Sequence, residues 1–576
     1  MNQPSKYTEL QSKVMVLVDS RSNTWSYSAC GVTRSELPIP AIVHKDAYKR
    51  TSEQIKVLLI GGLSGFPQDV EIAIKSLEIF SKSDADLSER IALSAIPCAN
   101  PAGLAIDSGP SNGAGGTVIK GYPPIDGFYF DRENPEVRYI WRWVCYQAPD
   151  LIVEIQHGPE TEWHTSDPNV QIDTKPKTSL IPTDDSLLAA LATGNPSDLG
   201  TIPGVRLISS KENLENNLNE LWKQVIAINP GPSQARNTLV ERDIRTTYEV
   251  GEDLSKSNGR ILETMIYTQS VAISGRLRLE ALHPVNEGLT DEVEKLVSRF
   301  MDKSTEKLYG TEPNSADIAG VVWAEELFLI TSDVRYKNLL IDTANLIKRR
   351  GPDKPHWPLN LNFAAEDFFM SAAVLGRAFK VTGSEHYLDL LLEFITTAGT
   401  QEESGLFPHN RFGPFHWGRG NGFAALGLTE SLTYLPKNHP GRDIVLNMYK
   451  KLMEALKPLQ EPSGMYGQLI DFSGSYHEFT STSMIGYSMA RGIRLGWIDN
   501  SYIETVLAAW IGIKERIDKE GNIVDGCTGS GVMDNQRSYL DRPANSGYDD
   551  RSGSMALWFT AEIADLNRKI QLQPKD

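Results

Sequence analysis

At 576 residues, with 40% hydrophobic and 23% charged side chains, the chain has the balance of a globular protein and exceeds one ordinary core, for which roughly 150 residues is the usual measure. Its net charge of -17 argues against a nucleic-acid partner, because phosphate binding needs a basic field, and no run approaches the ~18 to 20 apolar residues of a membrane span. The opening MNQPSKYTEL has neither the basic nor the apolar region of a leader, so a cytoplasmic location is expected; Cys30, Cys98, Cys145 and Cys527 lack the C-x-x-C spacing of zinc or redox sites.

From the amino terminus, Ile55-Lys56-Val57-Leu58-Leu59-Ile60 ending in Gly61-Gly62 predicts a continuously apolar strand of the kind covered on both faces of a sheet. A helix over 69–80, a strand over 91–97, a helix over 136–146 and a strand over 151–155 follow. Strands alternating with helices imply a mainly parallel sheet, so residues 1–275 are expected to form an α/β domain. After Arg278 strand-like runs become rare and amphipathic helices alternate with loops rich in Gly, Pro, Asp and Ser, so residues 285–576 are expected to be all-helical. Asp333, Ser384 and Asn500 each precede such a helix, with Tyr336 and Tyr387 51 positions apart and Tyr387 and Tyr502 115 apart. A repeat of roughly 50 to 58 residues holding two helices is what stacked helical hairpins give. An open solenoid and a closed toroid share that periodicity.

Three segments carry residues that packing explains poorly. In the first, Glu366 and Asp367 sit side by side within Asn362-Phe363-Ala364-Ala365-Glu366-Asp367-Phe368-Phe369-Met370. Adjacent side chains diverge by about 100° on a helix, so one acid lies near the buried side, where its pKa rises as a general acid requires. The plainer alternative is an exposed pair favoured by the helix macrodipole. The second segment joins Gly405-Leu406-Phe407-Pro408-His409 to His416-Trp417-Gly418-Arg419-Gly420-Asn421-Gly422-Phe423, a turn costly to order for stability alone. It offers an aromatic floor for a sugar ring, an arginine fork for a carboxylate and amides for hydroxyls. Trp417, Arg419 and Asn421 are therefore candidate substrate-binding residues, with Arg411 and Arg551 as further cations. The third runs from Tyr476 to Met484 and on through Arg491 to Trp497, and Tyr548 to Ser554 is again polar before an apolar helix.

In this order the segments resemble the unsaturated glucuronyl and rhamnogalacturonyl hydrolases. There a paired-acid helix precedes a Gly-Leu-x-x-His turn, a Trp-x-Arg-Gly-Asn-Gly-Trp helix start and a Glu-x-Ser/Thr-rich helix ending near Arg-Leu-Gly. The resemblance runs from about Asp291 to Asn567 and implies an (α/α)6 six-hairpin glycosidase-like domain acting on an acidic oligosaccharide that ends in a uronic acid with a C4=C5 double bond. The implied chemistry is hydration without metal or cofactor: an acid protonates C4, water adds at C5, and the hemiketal collapses to release the neighbouring sugar. Position by position, Asp367 with Glu366 falls on the acid pair, His409 on the turn histidine, and Trp417, Arg419 and Asn421 on the helix start. The family's aspartate three residues after the turn histidine is Phe412 here. The proton must then come from Glu366, Asp367 or elsewhere, with Glu326, Asp471 and Glu478 as weaker candidates.

Earlier in the chain, Gly61 to Phe66, Ile96 to Gly103 and Leu151 to Gly158 come in the order and strand context of zinc carboxypeptidases, and Phe130-Asp131-Arg132-Glu133-Asn134-Pro135 is similar to their substrate-carboxylate turn. Such a site needs a His and a Glu after the first strand plus a later His, but Ser64 and Pro67 hold the first two places and only His157 remains. The resemblance implies a metal-free relative that shapes packing or access, with Glu249 as a remnant of a general base. Hydrolysis or elimination of a saturated uronide, a non-catalytic saccharide-binding role, and homo-oligomerisation stay open.

Overall fold

The computed structural model describes residues 5–125, 129, 131–168, 170, 176–193, 199–284 and 288–572; Phe130 of the carboxypeptidase-like turn and the expected domain start at residue 285 lie outside them. Two compact units emerge: Met1–Ile244 with Phe472–Tyr476, and Arg245–Asp471 with His477–Asp576. The expected change of domain at 275–285 therefore moves back to 244/245. The reason is packing: helices Thr247–Ser257 and Tyr267–Leu282 both lie against Asp550–Leu572 of the helical unit. No helix among the described residues is long and apolar enough to cross a membrane.

The first unit is α/β. Its sheet runs in the order β1-β2-β4-β3-β5-β8-β6-β7, with β1 Trp25–Val32, β2 Pro38–His44, β3 Ile55–Ile60, β4 Ile91–Ile96, β5 Leu151–His157, β6 Glu162–Thr165, β7 Ser179–Leu180 and β8 Gly204–Ser209. The four central strands, β4, β3, β5 and β8, are mutually parallel. Every residue of β3 and β4 is buried, as continuous apolar runs demand. Helices α1 Pro67–Ser81 and α2 Pro135–Gln147 extend the expected spans by one or two residues. The antiparallel pair β1 and β2 was not anticipated.

The second unit is a closed ring of helical hairpins. Outer helices α3 Thr247–Ser257, α5 Leu289–Val297, α7 Val334–Ala344, α9 Glu385–Ala398, α11 Arg442–Leu456 and α13 Ile503–Glu515 surround inner helices α4 Tyr267–Leu282, α6 Ala324–Thr331, α8 Glu366–Thr382, α10 Gly418–Tyr434, α12 Phe479–Leu495 and α14 Asp550–Leu572. Neighbour packs on neighbour from α8 to α10, α12 and α14, and α14 packs back on α4. That last contact closes the toroid, while the turn Ala319–Val321 preceding α6 bridges α4 to α8. Outer helices bury one stripe, as α11 does with Val445, Tyr449, Leu452, Met453 and Leu456. Inner helices α10 and α12 are enclosed on all sides, buried continuously from Gly418 to Leu432 and from Phe479 to Ile493, whereas the short α6 exposes Leu329 and Ile330. Gly427 lets α10 approach α8 closely, since a Cβ there would overlap the backbone of Phe368.

An ionic circuit crosses the interior and draws on each inner helix in turn. Arg278 Nε lies 3.0 Å from Glu326 Oε1, Arg377 Nε lies 3.5 Å from Glu325, and Arg377 Nη2 lies 2.9 Å from Glu430. Arg491 then spans Glu430 at 2.9 Å and Glu562 at 2.8 Å. Trp558 of α14 closes the circuit, its ring 4.1 Å from the Arg278 guanidinium carbon. Burial alone would raise the Glu430 carboxyl, but Arg377, Arg491 and Arg278 together hold it at about 2.

Candidate active site

Each inner helix is followed by an outer helix that runs back, so the amino-terminal ends of the inner helices gather at one end of the toroid. Tyr267 begins α4, Glu366 and Asp367 begin α8, Trp417 is the N-cap of α10, Glu478 is the N-cap of α12, and Asp550 and Arg551 begin α14. Helix amino termini present free N–H groups and positive dipole ends, which suits an anionic ligand.

The acid pair splits into two unlike groups. Asp367 is 1% exposed, and its Oδ2 accepts the Asn360 N–H at 2.6 Å. Burial pushes it up to about 7, with the neighbouring Glu366 adding and bonds from Ser315 and Asn360 opposing. Glu366 keeps its side chain 24% exposed, and its Oε1 lies 3.2 Å from His409 Nε2. Its Oε2 is enclosed without a hydrogen-bond partner. The raised acid is thus Asp367, while the acid that can reach a ligand is Glu366.

His409 is buried and held on three sides. Its ring lies 4.4 Å from the Trp417 ring at 33°, Nε2 faces Glu366, and Nδ1 is 2.7 Å from Tyr539 Oη. Tyr539 Oη also accepts the Met533 N–H at 3.2 Å. Tyr539 comes from the segment between strands β11 Ile523–Cys527 and β12 Ala544–Gly547. Trp417 reaches its place because Gly418 lies flush against the carbonyl of Gly467, where any side chain would overlap, and its own indole N–H has no partner.

Three expected ligand-binding residues have other work. Arg419 donates its terminal nitrogens to the carbonyls of Cys527 at 2.5 Å and Thr528 at 2.9 Å and lies 4.6 Å from the Trp417 ring. It anchors the β11 end of the loop rather than presenting a fork. Asn421 is 0% exposed; its amide exchanges two 2.9 Å bonds with the Phe407 backbone and donates to Trp417 O, stapling the preceding turn to the helix start. Arg411 donates to the carbonyls of Thr397 and Ala398 and covers Phe363, so it caps α9 in the way basic side chains satisfy last-turn carbonyls. Sequence supplies the residue type at these positions but not its direction.

Arg551 differs. Its Nε donates to Tyr267 Oη at 3.3 Å, and its terminal nitrogens have no hydrogen-bond partner among the described residues. Burial opposes its charge, but Tyr267 and Asp549 hold the guanidinium protonated. The Tyr267 ring in turn packs edge-on to Phe369 and Phe423, making an aromatic wall that sequence reasoning missed, as it missed Tyr539.

The weaker acid candidates are engaged elsewhere. Glu478 accepts N–H bonds from Thr480, Ser481 and Cys527, Glu326 takes Ser274 and Arg278, and Asp471 takes His416. Phe412, at the family's aspartate position, is 77% exposed and follows Asn410, whose side chain accepts its N–H. In the α/β unit Ser64 and His157, two of the three positions weighed for metal ligands, meet at Asp69, which accepts from Ser64 Oγ and, at 2.7 Å, from the His157 N–H. Glu249 is corrected: it closes a capping box with Thr246 at the start of α3, in the helical unit. Among the described residues no cluster of three or more His, Cys, Asp or Glu side chains is placed to hold a metal.

A closed ring of six helical hairpins with an acid, an imidazole and aromatic walls at the amino-terminal end of its inner helices defines an (α/α)6 glycosidase-type toroid. The model of Glycosyl Hydrolase Family 88 matches residues 246–567, more than half of the chain, and the chain belongs to that family. It is 26% identical over 161 residues to an unsaturated rhamnogalacturonyl hydrolase of Bacillus subtilis, covering 28% of this chain and 45% of that protein. It is 28% identical over 174 residues to an unsaturated 3S-rhamnoglycuronyl hydrolase of an Alteromonas strain, covering 28% and 42%. The matched stretch thus spans less than half of these curated relatives. Among solved structures, a family 105 glycoside hydrolase of C. acetobutylicum covers 54% of this chain and 98% of its own at 20% identity, TM-score 0.48. For the α/β unit, a metallo-carboxypeptidase of Burkholderia cenocepacia covers 38% of this chain and 67% of its own at 11% identity, TM-score 0.31, a likeness too slight to carry a functional argument.

Proposed function

We propose that the protein is a glycoside hydrolase that hydrates the C4=C5 bond of a terminal unsaturated uronyl residue and so releases the sugar to which it is joined. The observation that carries this reading is the state of Glu366: partly exposed, fixed through Oε1 by His409, and with an enclosed Oε2 that has no hydrogen-bond partner among the described residues. A carboxyl oxygen enclosed without a partner is costly unless it is protonated or met by a ligand. Glu366 passes a proton to C4, positive charge develops at C5, and water adds there while returning a proton to the Glu366 carboxylate. The hemiketal at C5 then opens, and the hemiacetal left at C1 loses the neighbouring sugar. Arg551 takes the uronyl carboxylate, supported by Tyr267, while the buried His409 and Trp417 back Glu366. The names of the two relatives point to a rhamnose-linked uronyl group as the first substrate to try.

Hydrolysis of a saturated uronide is less well supported. It needs a second carboxyl facing the sugar at roughly 5 to 9.5 Å from the first, whereas Asp367 is buried and tied to Asn360.

The test is loss of alkene absorbance when the purified protein meets lyase-generated unsaturated disaccharides. Glu366→Gln is expected to lower kcat by about 10²- to 10⁴-fold, and Asp367→Asn to retain most activity. Turnover abolished by Asp367→Asn but not by Glu366→Gln overturns the assignment of the donor, and no turnover on any unsaturated substrate overturns the reaction.

A further inference from the structure

We propose that Tyr539 is a positioning residue that fixes His409 in the Nε2–H tautomer, so that the imidazole always donates to Glu366 Oε1 and holds that carboxyl in one orientation. The effect on turnover rests on the uronyl hydrolase reading; the tautomer itself does not.

The geometry carries the argument. A neutral imidazole has one N–H and one lone pair, and the partner of one nitrogen decides the role of the other. Tyr539 Oη receives the Met533 N–H, which occupies one of its lone pairs and steers its own hydrogen away from that side. The hydrogen points to His409 Nδ1 at 2.7 Å, and Nδ1 is then the acceptor. The ring proton is left on Nε2, facing Glu366 Oε1 at 3.2 Å. This bond persists whether Glu366 is ionised or carries its proton on Oε2, because a carboxyl C=O accepts as well. His409 is 1% exposed and lies against Trp417, so water does not compete for either nitrogen. The ring also lies 5.8 Å from that of Tyr539. No other described side chain is recorded as a hydrogen-bond partner of the ring.

The arrangement supplies what the motif lacks. With Phe412 pointing to solvent at the family's aspartate position, a single carboxyl must both give and recover the proton. Holding one of its oxygens permanently as acceptor keeps that carboxyl in one orientation through both transfers.

The test uses the full-length protein labelled with nitrogen-15 at histidine, the His409 signals being assigned with His409→Gln. The wild-type spectrum is expected to show Nε2 protonated and Nδ1 as a hydrogen-bonded acceptor. Tyr539→Phe, with its melting temperature checked against wild type, is expected to lose the acceptor signature at Nδ1. On a substrate that wild type turns over, this variant should lose about tenfold or more in kcat with KM little changed. A wild-type ring protonated on Nδ1, or an unaltered tautomer in a folded Tyr539→Phe, overturns the proposal, and the wild-type spectrum decides the tautomer even should the variant fail to fold. Absence of turnover by wild type overturns the reaction assigned above while the nitrogen spectra still decide the role of Tyr539.

Discussion

At the scale of single residues, two arginines that look alike in the sequence separate by what they already hold. Arg551 has terminal nitrogens to offer, so Arg551→Ala is expected to weaken binding of a uronide by about 1.5–3 kcal/mol, the worth of hydrogen bonds to a charged group, read as a higher KM with kcat less affected. Arg419→Ala should instead lower the melting temperature and loosen the segment that begins at Cys527, because its guanidinium holds the carbonyls of Cys527 and Thr528. An equal KM defect in a fully stable Arg419→Ala would contradict that assignment. His416 gives a pH signature. Its Nδ1 lies 2.6 Å from Asp471 and its Nε2 3.0 Å from Glu402, and the bond to Asp471 is the leading cause that raises its pKa above 6.5, against partial burial. Since the folded value is raised, the stability His416 contributes is fully present below about pH 6.5 and is lost as pH rises through the folded value. The melting-temperature gap between wild type and His416→Gln should therefore close toward alkaline pH. Of the residues singled out in the sequence, Glu366, His409 and Trp417 lie together, whereas Asp367 turns to the Asn360 N–H. What was not legible is direction and distance. Asn421 turns inward to its own turn, Arg411 turns outward, and Tyr539 meets His409 across 130 positions.

At the scale of elements, helical periodicity marked the outer helices because each buries one stripe, and it failed on inner helices such as α10 and α12 because they have no exposed face to contrast with. The central strands were legible for the opposite reason: β3 is apolar throughout and bounded by Gly61-Gly62. The alternation in Trp25-Ser26-Tyr27-Ser28 is a short signal for β1. Close packing of the inner helices predicts that Gly427→Ala, whose Cβ has no room against Phe368, costs about 1–3 kcal/mol as overpacking does, measurable by denaturant unfolding. The ionic circuit predicts more. Glu430→Gln leaves Arg377 and Arg491 buried with a lost counter-charge, and breaking a buried pair in this way costs about 3–5 kcal/mol. The pH dependence has a definite sign: the folded value is depressed from 4.5 to about 2, so the stability from Glu430 is present above about pH 4.5 and disappears as pH falls toward 2. Wild type should lose stability over that acid window more steeply than Glu430→Gln.

At the scale of the whole molecule, the proposed function asks a chain of net charge -17 to take up an acidic sugar, and the two are reconciled by range. Repulsion from the surface acts over the Debye length, which is about 10 Å at 0.1 M salt and about 30 Å at 0.01 M. On the proposed function, attraction comes from Arg551 and the gathered helix amino termini, acts over a few ångströms, and is screened far less than the surface charge. Salt should therefore weaken the opposing term and spare the favourable one. Raising ionic strength from about 0.01 M to 0.15 M is expected to increase kcat/KM for an unsaturated uronide a few-fold while kcat stays constant, because approach is helped and the chemistry in the cleft is not touched. A fall in kcat/KM over the same range would mean that the positive ends of the inner helices, and not the acidic surface, dominate the field an incoming uronide meets.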